Sequence, residues 1–247
     1  AIRQLRSNTP LLELRTYKYP MFALSSVISI TVSMAMFSGM ILTPVYVQNV
    51  RGISPFEAGL MMLPGAIIMG IMSPITGKLF DKFGPRILAF VGLSITALST
   101  FLLSNLDLNS TYTYIIMIYT IRMFGMSMVM MPIMTNGLNQ LPANLYPHGT
   151  AVNNTAQQAI GAIGTAIFVT IMNTVATSKG EELVKAIDPS SLADPNVMAS
   201  LQQQATLEGI QFSFLVATII TVVALVLTLF LKRVDVSRAK VEKKEQQ

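Results

Sequence analysis

The sequence predicts an all-α integral membrane protein with six transmembrane helices. Three observations carry this. Of the 247 residues, 52% are hydrophobic and only 12% are charged, whereas a soluble domain holds roughly a quarter charged residues. The few charges gather between long apolar runs, so lipid is the solvent for most of the chain. Basic residues also fall on alternate sides of those runs, which is the pattern of a topology signal.

The net charge of +5 is therefore read as membrane orientation rather than nucleic-acid binding. The absence of cysteine excludes disulfides, thiolate metal sites and cysteine nucleophiles, and leaves the compartment open. The chain begins at Ala1 with a polar stretch, showing neither an initiator Met nor a signal-peptide pattern, and is read as a fragment of a longer one.

Residues 1–20, with Arg3, Arg6, Arg15 and Lys18, form a basic cytoplasmic lead-in whose Pro10–Arg15 stretch reads as an interfacial segment. The membrane domain covers 21–231, with spans at about 21–47, 58–76, 87–103, 112–134, 150–175 and 212–231. In the first span, Ser25, Ser29, Ser33, Ser38 and Gly39 are small enough to let helices approach closely. Pro44 lies near its far end. The second span is announced by Ser54 as an N-cap, Pro55 at the first helical position and Glu57 in the first turn. Pro64, Gly65, Gly70 and Pro74 interrupt it, which requires neighbouring helices or cavity water to satisfy freed backbone groups.

Residues 77–86, Gly-Lys-Leu-Phe-Asp-Lys-Phe-Gly-Pro-Arg, join the second and third spans. Gly77 is expected to end the incoming helix, and Gly84-Pro85 to force a tight turn. Asp81 is positioned to accept hydrogen bonds from a helix N-terminus, with Lys78, Lys82 and Arg86 at the water surface. Residues 177–209 are expected as an external loop, with Asp194-Pro195 capping a short helix within it and 181–187 forming another. Residues 232–247 read as a basic cytoplasmic tail able to lie against anionic lipid. With both ends inside, the outer loops hold only Arg51, Lys179 and Lys185, so the charge asymmetry is consistent across all six spans.

Three sets of residues could carry chemistry. Arg122 stands near the middle of the fourth span, where a cation costs at least a few kcal/mol unless it is paired or faces water. It is either a functional group or a structural one hydrogen-bonded to nearby carbonyls. Asn154, Gln158, Gly161 and Thr165 share one helical stripe and either line a substrate route or bind the bundle together. Met123, Met126, Met130 and Met134 recur at helical spacing and suit either an adaptable apolar pocket or plain packing. Enzyme chemistry is not expected. His148 is the only histidine, no carboxylate pair lies within a span, and no nucleophile, metal or nucleotide motif is present. Glu57 sits only at a span's edge, so a membrane-embedded proton carrier is missing from these residues.

The order Gly77-x-Leu79-x-Asp81-Lys82-x-Gly84-x-Arg86 resembles the signature loop of the major facilitator superfamily, with Phe80 where that family has a small residue. Arg122-Met123-Phe124-Gly125 loosely resembles the family's Arg- and Gly-bearing fourth helix, without the usual Gln before the Gly. Three further stretches are similar to the carboxyl-terminal half of fourteen-span drug:proton antiporters, the quaternary-ammonium and lincomycin-resistance exporters. They are Pro10–Arg15, Ser54-Pro55-x-Glu57-Ala58-Gly59-Leu60, and Gly149-Thr150-Ala151-x-Asn153-Asn154 running on to Gln157-Gln158-x-x-Gly161-x-x-Gly164.

The resemblance implies one half of a major facilitator bundle in the plasma membrane, exporting lipophilic or cationic drugs by alternating access. The energy source would be the proton gradient, with no cofactor. The partners implied are the missing amino-terminal half, small-molecule drugs and the bilayer, with no nucleic acid. Arg122, Asn154, Gln158, Thr165, Met126 and Met130 would line the substrate route, and Gly77, Asp81, Lys82, Gly84 and Arg86 would form an inner gate. A self-contained six-span channel or structural membrane protein is the alternative, and a membrane-embedded enzyme is a more distant one.

Overall fold

The computed structural model describes residues 14–187 and 194–232. Among them the regular structure is helical throughout. A 3-10 turn at Leu14–Lys18 leads into α1, Pro20–Val45, which continues as a π-helical turn over Tyr46–Val50. Then come α2, Pro55–Leu103, α3, Tyr112–Leu138, α4, Tyr146–Lys185, and α5, Pro195–Thr228. Five helices are long and apolar enough to cross a membrane.

The helix starts follow their local chemistry. Ser54 and Glu57 form a reciprocal capping box, each side chain accepting from the other's backbone N–H at 3.3 Å, and Pro55 supplies a first turn that needs no donor. Asp194 accepts from Asn196 N at 2.8 Å ahead of Pro195. Near the end of α1, Pro44 cannot donate, and the ladder widens until Arg51 N reaches back to Tyr46 O at 3.2 Å.

Several expected boundaries are corrected. The spans at 58–76 and 87–103 lie in one element of 49 residues interrupted at Gly84, so five apolar helices are found among the described residues where six were expected. Gly77 does not end a helix, because the ladder continues through it. The interruption comes at Gly84, whose φ of 78° and ψ of 171° lie outside the helical region. Glycine alone takes that conformation without a steric penalty. The two helices expected within residues 177–209 are present, but they are continuous with the spans. α4 carries on to Lys185 and α5 begins at Pro195, so most of that stretch extends the two helices. Of the lead-in, residues 1–13 lie outside the described residues, as does the tail from 233.

The described lead-in is tied to the bundle. Thr16 is buried, Tyr17 Oη lies 3.1 Å from Ser26 Oγ, and the Tyr17 and Phe22 rings are 5.6 Å apart. α1 is the central element, packing on α3, α4 and α5. Its small residues Ser25, Ser29, Ser33 and Ser38 are all buried, as their spacing predicts. Ser33 Oγ donates to Ser29 O and Ser38 Oγ to Ala35 O, so two of these hydroxyls are satisfied within the helix. The part of α2 after Gly84 lies close along α3. A Cβ on Gly92 would fall 2.6 Å from Gly125 O, and one on Gly125 would fall 2.7 Å from Gly92 O. Two glycines facing each other bring these backbones together, as small residues do between helices in lipid.

The buried side chains form two clusters along the bundle. Leu42, Tyr46, Ile118, Leu103, Ile210 and Phe214 make one. Ile28, Val32, Leu93, Met126, Val129 and Ala224 make the other. The first end is tied by Tyr46 Oη donating to Asp107 O at 2.6 Å and Gln211 Nε2 donating to Leu106 O at 2.5 Å. These bonds fix the short connection between α2 and α3.

Candidate functional site

Arg122 lies at the seam between the two clusters. One turn earlier on α3 Ile118 belongs to the first, and one turn later Met126 belongs to the second. Its side chain is fully buried. Three helices supply its surroundings. Nε donates to Thr100 Oγ1 of α2 at 3.1 Å, and Nη2 donates to Ala35 O of α1. Thr100 Oγ1 in turn donates to Thr96 O at 2.7 Å, so its lone pairs remain free to accept from the guanidinium. Gly39, one helical turn from Ala35, leaves the room that the guanidinium occupies.

Nη1 has no hydrogen-bond partner among the described residues, and no ion pair there reaches Arg122. A guanidinium has five N–H donors in a rigid fork. Here two of them, on Nε and Nη2, link α3 to α2 and α1. The amide Nδ2 of Asn153 on α4 is likewise buried without a partner among the described residues.

The other sequence-predicted residues are not gathered around this arginine. Met126 is fully buried in the second cluster, with Met130 partly buried against it. Asn154 and Gln158 are exposed on α4, and Thr165 is partly buried. Within the same stripe Gly161 faces the Phe37 ring of α1, where a Cβ would collide. The stripe is therefore divided: its glycine makes the α1 contact, and its amides stay on the open side. α4 is the least enclosed of the five apolar helices, with 22% of its apolar window buried against 50% for α1. Of the loop residues, Asp81, Lys82 and Arg86 are exposed, Gly77 is partly buried and Gly84 is buried. Lys82 Nζ sits 5.2 Å from the centroid of the Phe83 ring. Sequence reasoning missed Thr100, Ala35 and Gly39 as the surroundings of Arg122. The one available signal was Gly39 within a run of small residues on α1.

The model of the Major Facilitator Superfamily matches residues 1–165. The chain belongs to the major facilitator superfamily. It is 43% identical to the lincomycin resistance protein LmrB of Bacillus subtilis (strain 168), over 96% of this chain and 47% of that protein. To the uncharacterized MFS-type transporter YhcA of the same organism it is 41% identical, over 99% of this chain and 51% of the relative. A more distant likeness, 26% over 69% of the chain and 32% of the relative, is to the tetracenomycin C resistance and export protein of Streptomyces glaucescens. The chain spans about half the length of the first two relatives. Membership of this superfamily, with five apolar helices among the described residues, makes it a multi-pass membrane protein of a transporter family.

Proposed function

We propose that the chain is the carboxyl-terminal half of a fourteen-span exporter that moves lipophilic or cationic drugs out of the cell in exchange for protons. The observation that carries this is the coverage: nearly all of the chain aligns with only about half of a lincomycin resistance protein at 43% identity. The signature-loop order from Gly77 to Arg86 and the polar run from Asn153 to Gln158 support the same reading.

In this reading the chain crosses the plasma membrane six times with both ends cytoplasmic. Support comes from Gly84: α2 has 49 residues, about 73 Å of helix, where a bilayer core is about 30 Å thick. The non-helical Gly84 divides it into two lengths that each suffice for one crossing. Transport proceeds by alternating access, the two halves rocking about a central route. The open, amide-bearing side of α4 with Asn154 and Gln158, and Thr165 beside it, forms part of this chain's wall. Arg122 locks α1, α2 and α3 into a single moving body and offers its spare Nη1 donors during rocking. Met126 and Met130 back that body, and Asp81, Lys82 and Arg86 around Gly84 act as the inner gate. The amino-terminal half supplies the proton-carrying acid.

The test is efflux of a fluorescent lipophilic cation from cells that make the chain alone or together with the amino-terminal half of LmrB. Efflux should need both and should stop when the proton gradient is collapsed. Robust gradient-dependent efflux from the chain alone would overturn the half-transporter reading.

A further inference from the structure

α4 and α5 are longer than a membrane requires. With 40 and 34 residues they extend about 60 and 51 Å, against a hydrocarbon core of about 30 Å. The surplus falls where their sequences turn polar, at 177–185 and 195–209, next to the connection between them. Those two ends flank a half-open cleft of about 700 Å³. Val184, Met198, Ala199 and Ala205 give it an apolar lining, while Asn173 and Gln202 place amide groups at its wall. A smaller and shallower cleft of about 410 Å³ adjoins it through Asn173 and Thr177 and is lined by Glu181. A mostly apolar space of this size with a few convergent polar groups fits a drug-sized molecule.

The local charge selects the sign of that molecule. The described residues of 177–187 and 194–209 hold two cations, Lys179 and Lys185, against four anions, Glu181, Glu182, Asp194 and Glu208. Lys179 is engaged by Glu182 at 2.6 Å and reaches Glu208 at 4.0 Å. Glu181 stands outside that pairing, beside the cleft. A mostly apolar cleft with the Glu181 carboxylate on the adjoining one favours an amphipathic cation over a neutral or anionic ligand.

We propose that the α4–α5 hairpin carries a binding site for an amphipathic organic cation, its apolar body against Met198 and Val184 and its charge toward Glu181. The site lies on a different part of the bundle from Arg122. It does not rest on the transport reading, since binding here requires no passage across the membrane.

The probe is rhodamine 6G, followed by fluorescence anisotropy with the full chain in phosphatidylcholine nanodiscs. Saturable binding above that of empty discs is expected. Ala199→Trp, which fills the cleft from an exposed position, should weaken binding about tenfold or more. Glu181→Gln should weaken it about threefold and flatten its salt dependence. Nile red, a neutral dye of comparable size, should respond to Ala199→Trp but not to Glu181→Gln. Thr177→Leu, also at an exposed lining position, provides a second filling variant if Ala199→Trp lowers the yield of folded protein. Binding equal to that of empty discs, or unchanged by either filling substitution, would overturn the site.

Discussion

Gly39 of α1 lies directly against the guanidinium of Arg122 on α3. A Cβ at position 39 would fall 2.8 Å from Nη2 and closer still to Cζ and Nη1. The guanidinium cannot simply swing away, because Thr100 Oγ1 and the Ala35 carbonyl hold its Nε and Nη2. The glycine and the arginine are therefore complementary: one supplies a volume that the other fills.

Gly39→Ala should consequently destabilise the protein by about 1–3 kcal/mol, the usual range for overpacking a filled site. The same change in an Arg122→Met background should cost much less, since the wide planar head is gone. A coupling energy of about 1 kcal/mol or more is expected from thermal or denaturant unfolding of the two single variants and the double variant. Additive effects would show that Gly39 matters for some reason other than Arg122.

Gly84 has a different sensitivity. Its φ of 78° with ψ of 171° belongs to a region that is essentially closed to side chains. Gly84→Ala should cost about 1–3 kcal/mol. Gly77→Ala should be near neutral or slightly stabilising, because position 77 is helical and its nearest neighbour, Met131 Cε, would be 3.8 Å from the new Cβ. Paired melting curves of the two variants test this directly. Equal losses would mean that the turn is not confined to Gly84.

What was legible in the sequence, and what was not, divides along a physical line. Ser54-Pro55-x-Glu57, Asp194-Pro195 and Gly84-Pro85 were readable because capping and turn formation are decided within a few residues. That the helices expected at 181–187 and after Asp194-Pro195 run on unbroken from α4 and into α5 was not. Hydropathy reports where lipid ends, whereas a helix stops only where its ladder is broken, and nothing between Thr177 and Lys185 breaks it. The environment of Arg122 was hidden for another reason. Thr100 and Ala35 meet it through the register of three helices, which leaves no local trace. Periodicity also could not separate a methionine pocket from methionine packing, because both have a spacing of about 3.6 residues.

Met126 separates those two uses experimentally. It is fully buried among Val32, Leu93 and Val129. Met126→Ala should cost about 2–5 kcal/mol of stability through the cavity it leaves. Met126→Leu, nearly equal in volume, should cost less than about 1.5 kcal/mol. If Met126 only packs, Met126→Leu in the full-length transporter should also leave the spectrum of exported compounds unchanged in a resistance assay. A changed spectrum with unchanged stability would put Met126 in contact with substrate.

The division of α2 at Gly84 makes a prediction about sides of the membrane. If residues 55–83 and 85–103 each cross the bilayer, Ser54 and Asn109 lie on one side and Lys82 lies on the other. If α2 crosses only once, Ser54 and Asn109 lie on opposite sides. The chain has no native cysteine, so single cysteines at these three positions can be labelled without background. All three positions are exposed, which makes them accessible to a membrane-impermeant maleimide. The expected result in intact cells is reaction at Ser54→Cys and Asn109→Cys, with Lys82→Cys reacting only after permeabilisation. That expectation follows from the basic residues near Lys82, Lys78 and Arg86, since such residues favour the cytoplasmic face. Labelling of Ser54→Cys and Asn109→Cys from opposite faces would remove the sixth crossing, and with it the cytoplasmic placement of both ends.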